Sequence, residues 1–146
     1  MCSSDLLGRG GQRAGKGYYR YEPGRRTPLV DPEVTALIAQ ASREAGITRR
    51  AIPDQEVLER LVYPMINEGA RLLEEGIVER AGDIDVVWQY GYGWPSWKGG
   101  PMYHADQVGV AKVAERLRAL AAVHGDFFRP AALLERMARD GASFST

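Results

Sequence analysis

The sequence predicts an all-α fold of five or six helices that follow an extended N-terminal segment. Three observations support this class. Apolar residues recur at helical spacing from about residue 31 onward, glycine and proline separate these stretches, and no segment shows the alternation of a convincing strand. A length of 146 residues, with 45% hydrophobic and 26% charged residues, is typical of a single globular domain.

The first predicted helix begins at Pro32, where proline fits the first helical position, and Asp31 precedes it as a capping residue. Gly46 lies beyond its end. The residues that share its apolar face are Val34, Leu37, Ile38 and Ala41.

A longer helix is predicted from Pro53-Asp54 to Gly76 and is expected to be the central helix of the core. Pro64 lies inside it and removes one backbone hydrogen bond, so we expect a kink or a break there. Asn67 and Glu68 follow closely and are candidates to cap or bridge that defect. Its predicted core stripe comprises Val57, Leu58, Leu61, Val62, Met65, Ile66, Leu72 and Leu73.

Three or four further helical stretches are predicted in the second half of the chain. One runs from Asp83 to Tyr90, with Gly91 ending it in a left-handed conformation. The loop from Gly91 to Met102 combines rigid turn residues with Trp94 and Trp97, so it is expected to be ordered and wedged between helices or chains. The remaining predicted helices run from Pro101 to Val108-Gly109, from Val110 to Val123, and from Pro130 to about Asp140.

Composition excludes several classes of site. No run of about 18 apolar residues could cross a bilayer, and no secretory signal is evident, so the expected class is a soluble intracellular protein. Cys2 is the single cysteine, which excludes an internal disulfide. With only His104 and His124 beside it, no zinc-ligand spacing can be assembled, and we expect no metal.

The N-terminal segment is basic, although the net charge of the whole chain is zero. Tyrosines interleave with its Lys and Arg residues, a pattern that suits single-stranded nucleic acid. The favoured interpretation is a solvated connector whose tyrosines dock on a neighbouring domain, and the alternative is a free-standing interaction or nucleic-acid-binding helical module that uses this basic segment. Residues 1–6 look like translated sequencing-adaptor sequence and are expected to be non-native. Residues 7–30 are interpreted as the linker or tail of a preceding domain, and residues 31–146 as the helical domain.

No complete active site is evident. The segment Gly10–Gly17 nearly fits a phosphate-binding loop but lacks Ser or Thr after Lys16, and it lacks the flanking strand and helix. Glu74-Glu75 and the pair Asp83/Asp85 are interpreted as helix-end residues. His104 has no patterned Ser or Cys nucleophile and is interpreted as structural.

Several short motifs follow one another along the chain in a recognisable order. They are Arg60-Leu61, Pro64, Asn67-Glu68, Leu72–Gly76, Asp83–Asp85, Gly91–Pro95, Gly99–Met102 and Ala105–Gly109, with Gly11–Tyr21 upstream. Together they resemble the C-terminal helical domain of 3-hydroxyacyl-CoA dehydrogenases. The similarity extends over about residues 8 to 142 and is strongest to the second copy of this domain in multifunctional β-oxidation enzymes, which join an enoyl-CoA hydratase to the dehydrogenase. The resemblance implies a fold like the 6-phosphogluconate dehydrogenase C-terminal domain.

One departure from the family pattern bears on activity. Catalytic copies carry Asn before the Arg-Leu pair, whereas this chain has Glu59, whose carboxylate could not donate the same hydrogen bond to a developing oxyanion. The family's catalytic His and Glu lie in the NAD-binding domain. The resemblance therefore implies a non-catalytic repeat.

The same resemblance implies the surroundings of the repeat. We expect no catalytic, cofactor-binding or metal-binding residues in this chain, with NAD bound by the parent enzyme. The implied partners are the first helical copy, the NAD-binding and hydratase domains and the parent's acyl-CoA substrate, without nucleic acid, in the cytoplasm of a bacterium. The candidate interface residues are Tyr19, Tyr21, Tyr92, Trp94 and Trp97.

Overall fold

The structure, a computed structural model, describes residues 8–145. The expectation that residues 1–6 are non-native falls outside them. Contacts divide the chain into two compact units, Met1–Ala51 and Ile52–Thr146. Within the described residues there are six α-helices and one small two-stranded sheet, which confirms the predicted all-α class.

The first unit contains the short sheet, which the sequence did not predict. After a 3-10 turn at Gln12–Ala14, strand β1 (Tyr19–Arg20) pairs antiparallel with strand β2 (Leu29–Val30). Each strand has two residues, and all four are exposed. A strand of this length cannot show an alternating pattern, so the expectation of no strand was wrong here because only the pairing defines it.

Arg9 fastens the N-terminal loop of this unit to the start of helix α1 (Pro32–Glu44). Its guanidinium bonds to Asp31, lies 2.6 Å from a carboxylate oxygen of Glu33 and donates to the carbonyl of Gly17 at 3.0 Å. The Arg9 hydrogen bond lowers the pKa of Asp31. Asp31 also accepts the backbone N–H of Glu33 at 3.0 Å, which confirms it as the capping residue of α1.

The second unit contains the larger core. Its helices are α2 (Asp54–Glu74), α3 (Ala81–Gly91), α4 (Pro101–Val108), α5 (Val110–His124) and α6 (Ala132–Asp140), with 3-10 turns at Ser96–Lys98 and Asp126–Phe128. These confirm the predicted helices, with ends shifted by one or two residues. The buried residues that form the core are Tyr63, Ile66, Ala70, Ala105, Val110, Val113, Ala114, Leu117, Ala131 and Leu134.

Helix α2 buries a different face from the one predicted. Of the expected core stripe only Ile66 is fully buried, whereas Leu58 and Leu61 are 52% and 63% exposed. The buried face instead carries Glu59, Tyr63, Ile66, Asn67, Gly69 and Ala70. Periodicity identifies an apolar face but does not say whether the chain itself covers it, and polar residues with partners can occupy the inner face.

Of the kink or break predicted at Pro64, the break does not occur: α2 continues through Pro64 without interruption, and the kink stays a prediction. Core packing of Tyr63 and Ile66 on either side holds the helix together across the missing N–H. Asn67 does not bridge this defect. Its side chain donates to the carbonyl of Arg129 at 2.8 Å and accepts the N–H of Ala131 at 2.7 Å, which ties α2 to the residue that precedes α6.

The turn from α3 to α4 is ordered, as expected, but differs in detail. Gly91 is the last residue of α3, and the left-handed conformation occurs at Gly93, with φ of 73°. Asp85, on α3, accepts the N–H groups of Met102 at 2.7 Å and Tyr103 at 3.0 Å, so it caps α4 and not its own helix.

Candidate domain interface

An apolar groove of about 870 Å³ lies in the second unit, with residues of α2 and α3 in its lining. Helix α2 contributes Leu61, Met65 and Leu72, and α3 contributes Val87 and Trp88. The other apolar residues of the lining are Pro64, Val78, Ile84, Tyr92 and Phe127. We call this surface the α2–α3 groove.

Four apolar side chains of the α2–α3 groove are unusually exposed for their type. Leu61 is 63% exposed, Val87 55%, Tyr92 71% and Phe127 69%. Isolated exposed apolar residues are ordinary, but a concave cluster of them marks an interaction site. This geometry favours a partner that brings an apolar surface of its own.

Charged groups beside these apolar residues are paired with one another. Arg60 lies 2.7 Å from a carboxylate oxygen of Glu56, and its Nη2 lies 2.7 Å from Nε2 of His124. Arg71 lies 3.1 Å from Glu68. Because each cation already has a neighbour that can accept its hydrogen bond, the groove offers no excess positive charge to an anionic ligand.

The three aromatic residues predicted from the glycine-rich loop take different positions. Tyr92 lines the groove, with its ring centroid 4.9 Å from that of Trp88. Trp94 is half-buried, and its ring centroid lies 6.4 Å from that of Trp88 and 6.1 Å from that of His104. It therefore packs beside α3 and α4 and outside the groove lining. Trp97 is 80% exposed.

The two predicted tyrosines of the N-terminal segment belong to the first unit. Tyr19 lies on β1 and is 47% exposed, and Tyr21 is half-buried. An interface role for all five aromatic residues stays a prediction.

Sequence reasoning assigned several residues of the groove to the core and overlooked Phe127. Leu61, Met65 and Leu72 all belong to the predicted core stripe of α2. The useful signal was the width of the α2 stripe, because apolar residues at 57, 58, 61, 62, 65, 66, 72 and 73 span more than one face of a helix. A helix with two apolar faces has one for its own core and another for a partner.

Glu59 faces the interior of the unit and does not line the α2–α3 groove. One of its carboxylate oxygens lies 2.5 Å from Nε of Arg116 on α5, and the other accepts from the side-chain amide of Gln55 at 3.1 Å. Burial, and then the nearby Glu59 charge, raise the pKa of Tyr63. The carboxylate of Glu59 thus has two partners, the Arg116 cation and the Gln55 amide.

The other acidic candidates have structural partners. Glu74 lies 2.9 Å from Arg136 and accepts the N–H of Leu133 at 3.2 Å. Asp83 pairs with Arg80 at 2.8 Å in the first turn of α3. These contacts stabilise helix ends, as the sequence analysis proposed.

His104 is half-buried on α4, and burial, followed by the charge of Lys98, lowers the pKa of its imidazole. The ring of Trp94 packs beside it, with the two ring centroids 6.1 Å apart. Across the same residues the structure contains no cluster of three potential metal ligands. None of the helices described is long and apolar enough to cross a membrane.

Comparison with known proteins identifies the family. The family described as "3-hydroxyacyl-CoA dehydrogenase, C-terminal domain" matches residues 57–143, which is more than half of the chain. The chain belongs to this family. The match lies in the second unit, which contains Glu59 and the α2–α3 groove.

Relatives of this 3-hydroxyacyl-CoA dehydrogenase C-terminal domain are parts of multifunctional enzymes. The peroxisomal fatty acid beta-oxidation multifunctional protein AIM1 of Arabidopsis thaliana is 37% identical over 142 residues, covering 94% of this chain and 20% of that protein. The human peroxisomal bifunctional enzyme is 40% identical over 138 residues, covering 92% of this chain and 19% of the enzyme. The chain thus spans about a fifth of the length of these relatives.

A solved structure supports the same assignment. The crystal structure of the dehydrogenase part of multifunctional enzyme 1 from C. elegans matches 92% of this chain and 31% of that chain, with a TM-score of 0.63 and 30% identity. This likeness confirms the helical fold that the resemblance implied.

The expected localisation was wrong. The sequence analysis placed a bacterial parent in the cytoplasm, whereas the relatives of this dehydrogenase domain include peroxisomal enzymes of plants and animals and glyoxysomal enzymes of plants. A resemblance within one domain carries no information about the compartment.

Proposed function

We propose that this chain is the second, non-catalytic helical copy in a multifunctional 3-hydroxyacyl-CoA dehydrogenase of fatty-acid β-oxidation. In this proposal the α2–α3 groove docks on the first helical copy, and the contact braces the acyl-CoA cleft of the parent enzyme. The observation that carries the proposal is an exposed apolar groove in a chain that spans about a fifth of its relatives.

The physical case for docking rests on the apolar side chains of the groove that are exposed to water. Full burial of an exposed Leu or Val side chain stabilises by about 1.5–3 kcal/mol, so covering residues such as Leu61 and Val87 would supply a substantial driving force. The neighbouring cations already have partners, so burial of the groove's centre would not strand an unpaired charge. An interface between two domains of one polypeptide can combine an apolar centre with paired charges beside it.

The case against catalysis in this copy rests on Glu59. In the proposed parent reaction, a hydride leaves the hydroxyl-bearing carbon of 3-hydroxyacyl-CoA for NAD, and the hydroxyl proton passes to a base, giving 3-ketoacyl-CoA. An amide at position 59 could donate a hydrogen bond to the substrate oxygen, but an ionised carboxylate can only accept. Nε of Arg116 lies 2.5 Å from this carboxylate, so Glu59 is paired within its own unit.

Glu59 and Arg116 therefore act as structural residues in this proposal, and the parent's NAD-binding domain performs the oxidation. We expect the 146-residue chain alone to give no NADH-dependent absorbance change with a 3-ketoacyl-CoA. The measurement is the absorbance of NADH at increasing protein concentration, with a complete multifunctional enzyme as the positive control. Turnover that copurifies with the chain and scales with its concentration would contradict the non-catalytic assignment.

The docking surface is tested by two neighbouring valines on α3. Val87 lines the groove and is 55% exposed, whereas Val86 lies outside the lining and is 53% exposed. We expect Val87→Asp to weaken binding of the chain to the NAD-binding domain joined to the first helical copy by at least about tenfold, or roughly 1.4 kcal/mol, because it places an unpaired carboxylate in an apolar contact.

Val86→Asp is the matched control, since it makes the same substitution on the same helix at nearly the same exposure. It should leave the affinity within about twofold, and both variants should retain the helical circular dichroism of the parent chain. Equal loss in both variants, or unchanged binding of Val87→Asp, would reject the groove as the docking surface. The affinities are measured by titration with the purified upstream domains.

A further inference from the structure

The first unit contains a cavity of about 460 Å³ whose lining is rich in arginine. We call it the arginine pocket; the side chains that define it are Gln12, Arg13, Tyr21, Glu22, Arg25 and Arg26. We propose that the arginine pocket binds the phosphate groups of a small nucleotide. This proposal does not rest on the docking proposed for the α2–α3 groove.

The charge on this pocket is unbalanced. Glu22 is the one carboxylate in its lining, and it lies 3.2 Å from Arg25. Within residues 8–145 the structure gives neither Arg13 nor Arg26 a carboxylate partner. Two guanidinium groups thus remain available at one concave surface, where they can bind phosphate with paired, charge-assisted hydrogen bonds.

Comparison with Arg9 shows that this imbalance is local. Arg9 belongs to the same basic segment, but it is buried and satisfied by Asp31, Glu33 and a backbone carbonyl. A buried arginine of this unit is thus neutralised by carboxylates of the same unit. Arg13 and Arg26 have no such role in the described structure.

The backbone of the pocket leaves room for a ligand. Gly24 has φ of 75°, and a Cβ added there would meet nothing within 4 Å. At Gly15, with φ of 73°, the nearest atom would be the carbonyl oxygen of Tyr21 at 3.9 Å. Bare backbone at two points of the lining permits close approach of a phosphate, and the ring of Tyr21 supplies an apolar surface for a base.

The arrangement favours a small nucleotide over a nucleic-acid strand. The residues that made the basic segment resemble a strand-binding surface include Lys16, Tyr18 and Tyr19, and none of them lines the pocket. A strand would need a continuous row of stacking and phosphate contacts. The pocket instead concentrates its cations around one tyrosine.

The test uses the full 146-residue chain and two probes, adenosine 3′,5′-bisphosphate and inorganic pyrophosphate, in titration calorimetry at about 50 mM salt. The double variant Arg13→Ala/Arg26→Ala should bind the bisphosphate at least tenfold more weakly. The control is Arg43→Ala/Arg49→Ala, which removes the same charge from exposed positions of the first unit outside the pocket. The control should bind the bisphosphate as tightly as the unsubstituted 146-residue chain does.

A third variant tests the base. Tyr21→Ala should weaken binding of the bisphosphate and leave pyrophosphate unchanged. The circular dichroism spectrum of every variant must match that of the unsubstituted 146-residue chain. No binding of either probe, equal loss in the pocket and control variants, or equal affinity for both probes would overturn the proposal. Tighter binding of a single-stranded oligonucleotide, lost with Lys16→Ala, would also overturn it and support the nucleic-acid alternative.

Discussion

Replacing Asn67 by Ala is expected to lower the free energy of unfolding by about 2–3 kcal/mol. The side chain is 1% exposed and bonds both the carbonyl of Arg129 and the N–H of Ala131. The alanine variant leaves the buried N–H of Ala131 without its acceptor and creates a small cavity, and a buried unpaired group alone costs about 1–3 kcal/mol. Chemical denaturation followed by circular dichroism measures the difference.

Leu61→Ala is the control for this prediction, since it truncates a side chain on the same helix that is 63% exposed. It should change the free energy of unfolding by no more than about 0.5 kcal/mol. If the Asn67 variant were equally harmless, the tie between α2 and the start of α6 would contribute little to stability.

Gly100→Ala is expected to destabilise the second unit by about 3 kcal/mol. Gly100 has φ of 106°, and an added Cβ would lie 2.4 Å from Cβ of Asp85. Asp85 cannot move away freely, because its carboxylate holds the N–H groups of Met102 and Tyr103. Backbone strain of about 1–2 kcal/mol and overpacking of about 1–3 kcal/mol therefore act together.

Gly93→Ala separates these two effects. Gly93 has φ of 73°, but an added Cβ would meet nothing within 4 Å. Its expected loss is the backbone strain alone, about 1 kcal/mol. Thermal and denaturant unfolding of both variants measure the difference. Equal losses in the two variants would show that close approach to Asp85 adds nothing, and a neutral Gly100→Ala would contradict the prediction as a whole.

Much of the helical architecture could be predicted because its signals are local. Asp31 and Pro32 mark the start of α1 by hydrogen bonding and a fixed φ, and the structure has both in those roles. The strand pair at β1 and β2 was missed because pairing between two-residue segments has no local pattern. Of the kink or break predicted at Pro64, the break does not occur, because core packing outweighs one lost hydrogen bond.

The candidate interface was only partly predictable. Tyr92 was named from loop composition and lines the groove, but Leu61 and Leu72 were assigned to the core because an apolar residue looks the same whether it faces its own chain or another. Glu59 was recognised only through a resemblance. Its pairing with Arg116, 57 positions away, depends on tertiary structure.

The unequal faces of α2 have a consequence for how such a protein is made. One side of the helix is covered by its own unit, and the other leaves Leu58 and Leu61 in contact with water. During synthesis, or after cleavage by a protease, a fragment carrying this helix would present an adhesive surface and be prone to self-association and capture by chaperones. Covalent linkage of such a domain to its neighbours shortens the time for which this apolar surface is exposed.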